Sequence, residues 1–208
     1  MEPSTLQPDA KRAKPSAWWK LAVAILGAGG ALGAVAAGGS GTYVITPFDV
    51  ELSARPAAYG KTELAVQPIE GVPIPLHAEA GTHASPIVAR VTITGIATPP
   101  APSDLRLFER GPSALAAHIG EQGKAAVRSL AIKLAALALG GGAAAGGALA
   151  LFGRPWRIVG GALAGLLTFA IIGVLMQQTY DTSEFLKTQF IVDQDVGGLL
   201  EPGDVLPT

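Results

Sequence analysis

Residues 129–176 read SLAIKLAALALGGGAAAGGALALFGRPWRIVGGALAGLLTFAIIGVLM. Two apolar runs, Ser129–Phe152 and Ile158–Met176, flank a tight turn, Gly153-Arg154-Pro155-Trp156-Arg157. Each run supplies about the 20 residues that a helix needs to cross a hydrocarbon core of ~30 Å. Upstream, Trp18–Ala37 is a third run of the same kind. Apart from Lys20 at the rim of the first run, Lys133 is the charge inside them. Three such runs predict three transmembrane helices.

The basic residues predict their orientation. Lys11, Arg12, Lys14 and Lys20 lead into the first run, and Arg154 and Arg157 sit in the turn between the last two. Lys and Arg accumulate on the cytoplasmic side of membrane proteins, and Trp18-Trp19 suits the headgroup level. The amino terminus is therefore expected in the cytoplasm of a multi-pass plasma-membrane protein, with the segment after the first span and the carboxyl tail outside. Arg128 and Lys133 oppose this bias. Lys133 lies about one turn into its span and can snorkel to the interface. A basic start, an apolar stretch and the ending Val35-Ala36-Ala37 also describe a secretory leader. The Trp pair and the length of the run favour an uncleaved anchor.

Composition agrees with a lipid setting. The 208-residue chain is 49% hydrophobic and 15% charged, against about 25% charged in an average soluble protein. Its mean hydropathy is +0.40. A formal net charge of −1 offers no basic patch for nucleic acid, and the lack of cysteine excludes disulfides and thiolate metal sites.

Between the first two spans the pattern changes. Thr42–Ile45, Phe48–Ser53, Thr62–Val66 and Ile87–Thr94 alternate apolar with polar residues, as half-buried strands do. Pro47, Pro56, Gly60, Pro68, Gly71, Pro73, Pro75 and Gly81 punctuate them. The expected fold class is membrane α+β: three transmembrane helices with a small antiparallel β domain between the first and second. Alone, so small a domain buries only about 60% of its unfolded surface, so it needs the membrane or a partner for support.

The full expected order is a disordered cytoplasmic tail over 1–17 and a first span over 18–38. Gly38-Gly39-Ser40-Gly41 reads as a flexible exit into the β domain over 41–97. A proline-rich linker (Ala97–Pro102) and a juxtamembrane amphipathic helix, with Leu115, Ile119, Val127 and Leu130 at helical spacing, occupy 98–128. Spans follow over 129–152 and 158–176. The tail over 177–208 is polar, with a short helix or strand near Phe190-Ile191-Val192 and a loop-like end at Gly197–Thr208.

Small residues four apart let helix backbones approach closely in lipid. Such pairs occur in every span: Gly29/Gly33, Gly142/Gly146 and Gly161/Gly165. The partners these features predict are the lipid bilayer and, through small-residue faces, a protein partner or a second copy of the chain.

Chemistry is sparse. His77-Ala78-Glu79 followed by His83 is the best group for a metal, but its spacing matches no tight zinc motif, and it reads as a solvated turn between strands. His118 and Glu121 lie three apart on the juxtamembrane helix, a spacing typical of a surface contact. No nucleophile elbow, phosphate-binding loop, His-Glu-x-x-His or dinucleotide fingerprint occurs. Gly27-Ala28-Gly29-Gly30-Ala31-Leu32-Gly33 lacks the preceding strand that a nucleotide loop requires. Lys133 alone cannot form a proton relay or ion path. The sequence thus predicts no catalytic, cofactor-binding or metal-ligating residue, and no cofactor.

The order of these features, with Phe48-Asp49-Val50-Glu51-Leu52-Ser53-Ala54-Arg55-Pro56, Gly60-Lys61-Thr62-Glu63-Leu64, Pro68-Ile69-Glu70-Gly71 and Thr82-His83-Ala84-Ser85-Pro86, resembles the membrane-anchored amino-terminal region of actinobacterial metallophosphoesterases. The Arg-Pro-Trp-Arg turn and Gln178-Thr179-Tyr180-Asp181-Thr182-Ser183-Glu184-Phe185 extend the likeness over residues 18–191. That resemblance implies a following dimetal phosphoesterase domain, with Asp-x-His and Gly-Asn-His-Asp/Glu motifs. This chain contains neither motif, so no catalytic residue carries over. Three functions are thus expected in order: a non-catalytic membrane protein presenting its β domain for interaction or assembly, the anchoring portion of a truncated or split phosphoesterase, and an accessory subunit of a larger membrane complex.

Overall fold

A computed structural model describes residues 17–68, 75–96, 111–151, 155–181, 183–184 and 191–192. The expected cytoplasmic tail, the linker Ala97–Pro102, Gly153, Arg154 and the end at Gly197–Thr208 lie outside the described residues.

Among the described residues, three helices are long and apolar enough to cross a membrane: α1 (Ala17–Gly38), α2 (Pro112–Ala150) and α3 (Trp156–Thr179). This is compatible with a multi-pass membrane protein. All three bury rows of residues four apart: Val23, Gly27, Ala31 and Val35 on α1; Ala126, Leu130, Leu134, Ala138, Gly142 and Gly146 on α2; Arg157, Gly161 and Gly165 on α3. Rows at this spacing are the ridges of close, right-handed helix crossings. Glycine makes the approach possible, since a Cβ on Gly161 would collide with the Gly142 carbonyl and one on Gly141 with that of Gly30. Two of the expected pairs, Gly142/Gly146 and Gly161/Gly165, therefore face each other across α2 and α3. Gly29 and Gly33 have open space around them. Outside the bundle, Leu21, Ile25, Leu163, Leu167, Ile171 and Val174 are exposed, a surface suited to lipid.

The strands are β1 (Ser40–Ile45), β2 (Phe48–Pro56), β3 (Lys61–Val66), β4 (Leu76–Ala80), β5 (Ile87–Ile96) and β6 (Ile191–Val192). They form one sheet in the order β1-β2-β5-β3-β4-β6. The expectation of an antiparallel domain is corrected here, because β3 pairs with β5 in parallel, Lys61 opposite Val88 through Val66 opposite Ile93. The cause is local. The link from β2 to β3 steps over the start of β5 rather than closing a hairpin, and the Ala57 N–H donates to the Pro86 carbonyl at 3.0 Å. Gly60 permits the step, since a Cβ there would strike the His83 ring and the His83 and Ser85 carbonyls.

Other expectations also change. The segment read as a turn, His77-Ala78-Glu79, is the middle of β4, paired along its length with β3. The exit from α1 is no flexible loop: Gly39 alone separates helix from strand, its carbonyl accepts from the Ala54 N–H at 2.8 Å, and a Cβ on it would meet the Val35 and Ala54 carbonyls. The juxtamembrane helix and the second span are one continuous helix of 39 residues. Within the carboxyl tail, Ile191–Val192 pairs with Leu76 and His77.

One core runs through bundle and sheet. Val50, Leu52, Ala54 and Ile87 from the strands share a cluster with Val35, Leu130 and Leu134, and with Ala31, Ala138 and Ile172 deeper in the bundle. The support that so small a sheet requires comes from the chain's own helix ends. α2 also runs beside β1, where Lys133 donates to the Ser40 carbonyl and the Gln122 side chain accepts from the Thr46 N–H at 2.6 Å. Lys133, expected to snorkel, thus finds a backbone partner at the α1–β1 junction.

Candidate functional site

Alternation along the strands gives the sheet two unlike faces. Val50, Leu52 and Ala54 of β2 and Val91 and Ile93 of β5 turn to the shared core. Their neighbours face the other way, and the register aligns them in rows: Ser53, Arg90, Glu63 and Glu79 across β2, β5, β3 and β4, with Glu51, Thr92, Ala65 and His77 beside them.

A charge ladder crosses this face. Glu63, buried to 4% exposure, accepts from Arg90 Nε at 2.6 Å and pairs with Lys61 Nζ at 2.7 Å. Lys61 reaches Glu79 at 2.8 Å, and Glu79 meets His77 Nε2 at 3.0 Å. Burial pushes the Glu63 carboxyl up, but the hydrogen bonds from Lys61 and Arg90 together outweigh it and hold the group below its ordinary range. Hydrogen bonds from His77 and then Lys61 lower Glu79 in the same direction. Beside the ladder lies a groove of about 290 Å³, lined by Glu51, Ser53, Arg55, Arg90, Thr92 and His77 among others.

The residues weighed as a metal group, His77, Glu79 and His83, are not brought together. His77 and Glu79 stand on this polar face, whereas His83 lies buried in the crossover beneath Gly60, its Nδ1 at 3.3 Å from Ser85 Oγ. Burial lowers the His83 pKa, and its Nε2 has no hydrogen-bond partner among the described residues. With Ser85 fully buried, the His83–Ser85 contact is a packed element of the crossover and has no path to a substrate. Among the described residues no three His, Asp or Glu side chains gather to hold a metal ion. His118 meets Gln122 at 2.9 Å rather than Glu121, which pairs with Lys124. Because the Gln122 oxygen already accepts from the Thr46 N–H, its amide nitrogen must donate to His118.

A second set of contacts closes the far end of the sheet. The Ala84 N–H donates to Thr179 Oγ1 at 2.9 Å and the Asp181 N–H to the Thr82 carbonyl at 2.8 Å, which fastens the exit of α3 to the β5 crossover. At the opposite end of the bundle, Arg157 is buried, donates to the Leu149 carbonyl at 2.8 Å and lies 4.3 Å over the Trp19 ring.

Glu51, Ser53, Arg90 and Thr92 of the groove sit in or beside strands legible in the sequence, whereas His77 sits in a segment read there as a turn; which strands adjoin depends on the crossover. Comparison with models of protein families, with curated proteins and with solved structures finds no match to this chain.

Proposed function

We propose that this chain is a non-catalytic integral membrane protein whose helices hold the sheet outside the cytoplasm, polar face outward, as a surface for interaction or assembly. One observation carries the reading. The apolar face of the sheet is consumed by the ends of α1 and α2 in a shared core, so the charged face with its groove is turned away from the bundle. The orientation follows from the basic residues. Arg157 stacked on Trp19 brings the starts of α1 and α3 to one end of the bundle, which supports a common cytoplasmic side for the basic residues that flank them in sequence.

Cysteine substitution at Ser16 and at exposed Tyr59, followed by a membrane-impermeant thiol reagent on intact cells, tests this. Labelling at Tyr59 with protection at Ser16 is the expected result, and the reverse sinks the orientation. A photo-reactive residue at Tyr59 that captures a partner in the parent cells supports the interaction reading, and the lack of any cross-link removes it.

A second reading, the anchoring portion of a split metal-dependent phosphoesterase, draws on one contact. Thr82–Pro86 and Gln178–Asp181, two of the segments that carry the family resemblance, hydrogen-bond to each other and form one structural unit. Phosphatase activity that copurifies with the chain and depends on Mn²⁺ or Zn²⁺ favours it, and its absence discards it.

A further inference from the structure

On the polar face, most charges are spoken for: Arg90 and Lys61 by Glu63, and Lys61 and His77 by Glu79. Glu51 and Arg55 are different. Both line the groove, and neither side chain has an ion pair or hydrogen bond among the described residues. They lie on one face of β2, four residues and about 13 Å apart. Between them the floor is recessed, with Ser53 and Thr92 exposed by only 7% and 8%. Both hydroxyls line the groove and have no hydrogen-bond partner among the described residues.

From this arrangement we infer that the groove receives an extended peptide segment of a partner protein, with an acidic side chain at Arg55 and a basic one at Glu51. The inference rests on the reading of the sheet as an interaction surface and names the chemistry of its partner. An extended chain rises about 3.3 Å per residue, so side chains four positions apart span the two charges. Its intervening amides supply partners for Ser53 and Thr92. A small oxyanion meets Arg55 and the hydroxyls but leaves Glu51 unanswered.

A second copy in the same membrane fits poorly. β1 and its neighbour β2 run alongside α2, as the contacts of Lys133 with Ser40 and Gln122 with Thr46 require. Two copies related by a two-fold axis along the membrane normal therefore face each other with parallel strands, Glu51 against Glu51 and Arg55 against Arg55.

The test uses the purified full-length chain in nanodiscs and fluorescent peptides of about nine residues, read by anisotropy. Three peptides carry, four positions apart, Asp with Lys, Asp with Asp, or Lys with Lys. The mixed peptide is expected to bind about tenfold more tightly than either other. Glu51→Arg moves the preference to the diacidic peptide and Arg55→Glu to the dibasic one. Both side chains point away from the core, so the variants keep the fold, which unchanged gel-filtration behaviour verifies. A preference that these substitutions leave unmoved, or no discrimination among the peptides up to millimolar concentration, overturns the inference. So does displacement of the mixed peptide by acetate or inorganic phosphate as effective as by unlabelled peptide. A partner captured at Tyr59 without peptide discrimination overturns this inference alone, whereas failure of both removes the interaction reading as well.

Discussion

Glu63 concentrates the electrostatics of the sheet in a single carboxylate. Its two cationic partners hold its pKa below the ordinary 4.5, so its ionised form stabilises the fold fully above 4.5. That contribution is lost as pH falls through the lower folded value. Buried His83 acts in a higher window. The neutral ring is the form that burial favours, so stability is complete above its ordinary 6.5 and declines as pH drops through the depressed folded value. Thermal unfolding in detergent, followed by circular dichroism, should therefore weaken in two stages on acidification. His83→Gln should abolish the upper stage and Glu63→Gln should shrink the lower one. A single stage that neither substitution alters contradicts both assignments. Gly60 is the other residue on which the sheet turns. Gly60→Ala forces a methyl group against the His83 ring and two carbonyls and should destabilise the protein by roughly 1–3 kcal/mol in denaturant titration.

The three helices depend on backbone proximity more than on large side chains. Gly161→Leu drives a side chain into the Gly142 carbonyl and Gly146, and should destabilise the bundle by about 2 kcal/mol or more. Gly29→Leu, with nothing near its Cβ, should leave the unfolding midpoint of the monomer within about 0.5 kcal/mol of the parent. Equal effects from the two substitutions refute the packing described for α2 and α3. The sequence declares the helices plainly, because an apolar run of sufficient length needs no knowledge of neighbours. It also declares β2 and β5 through their alternation. β4 escapes because Leu76-His77-Ala78-Glu79-Ala80 has no β-branched residue and two ionisable ones; pairing with β3 on one side fixes it as a strand. The parallel register of β3 and β5 escapes for another reason. It arises where a short link steps over a strand start some 25 positions further on, a relation that local periodicity does not encode.

For the whole molecule, the decisive fact is the exposure of large apolar side chains around the bundle beside a sheet whose inner face is already covered. The purified chain should stay monodisperse in detergent or nanodiscs and precipitate or associate when detergent is removed; a monodisperse monomer in plain buffer contradicts a lipid setting. The polar groove is legible only at this scale, since Glu51 and Arg55 on β2 acquire Thr92 from a strand about forty positions away once the sheet is assembled. α2 sets a dimension as well. At 1.5 Å per residue its 39 residues extend about 58 Å, nearly twice the thickness of the hydrocarbon layer. Gly39 alone separates α1 from β1, and Lys133 and Gln122 tie α2 to β1, so the sheet is fastened to two of the helices. If the helices cross a bilayer as proposed, a sheet fastened in this way keeps a fixed height above the lipid, and a docking partner has to reach it there.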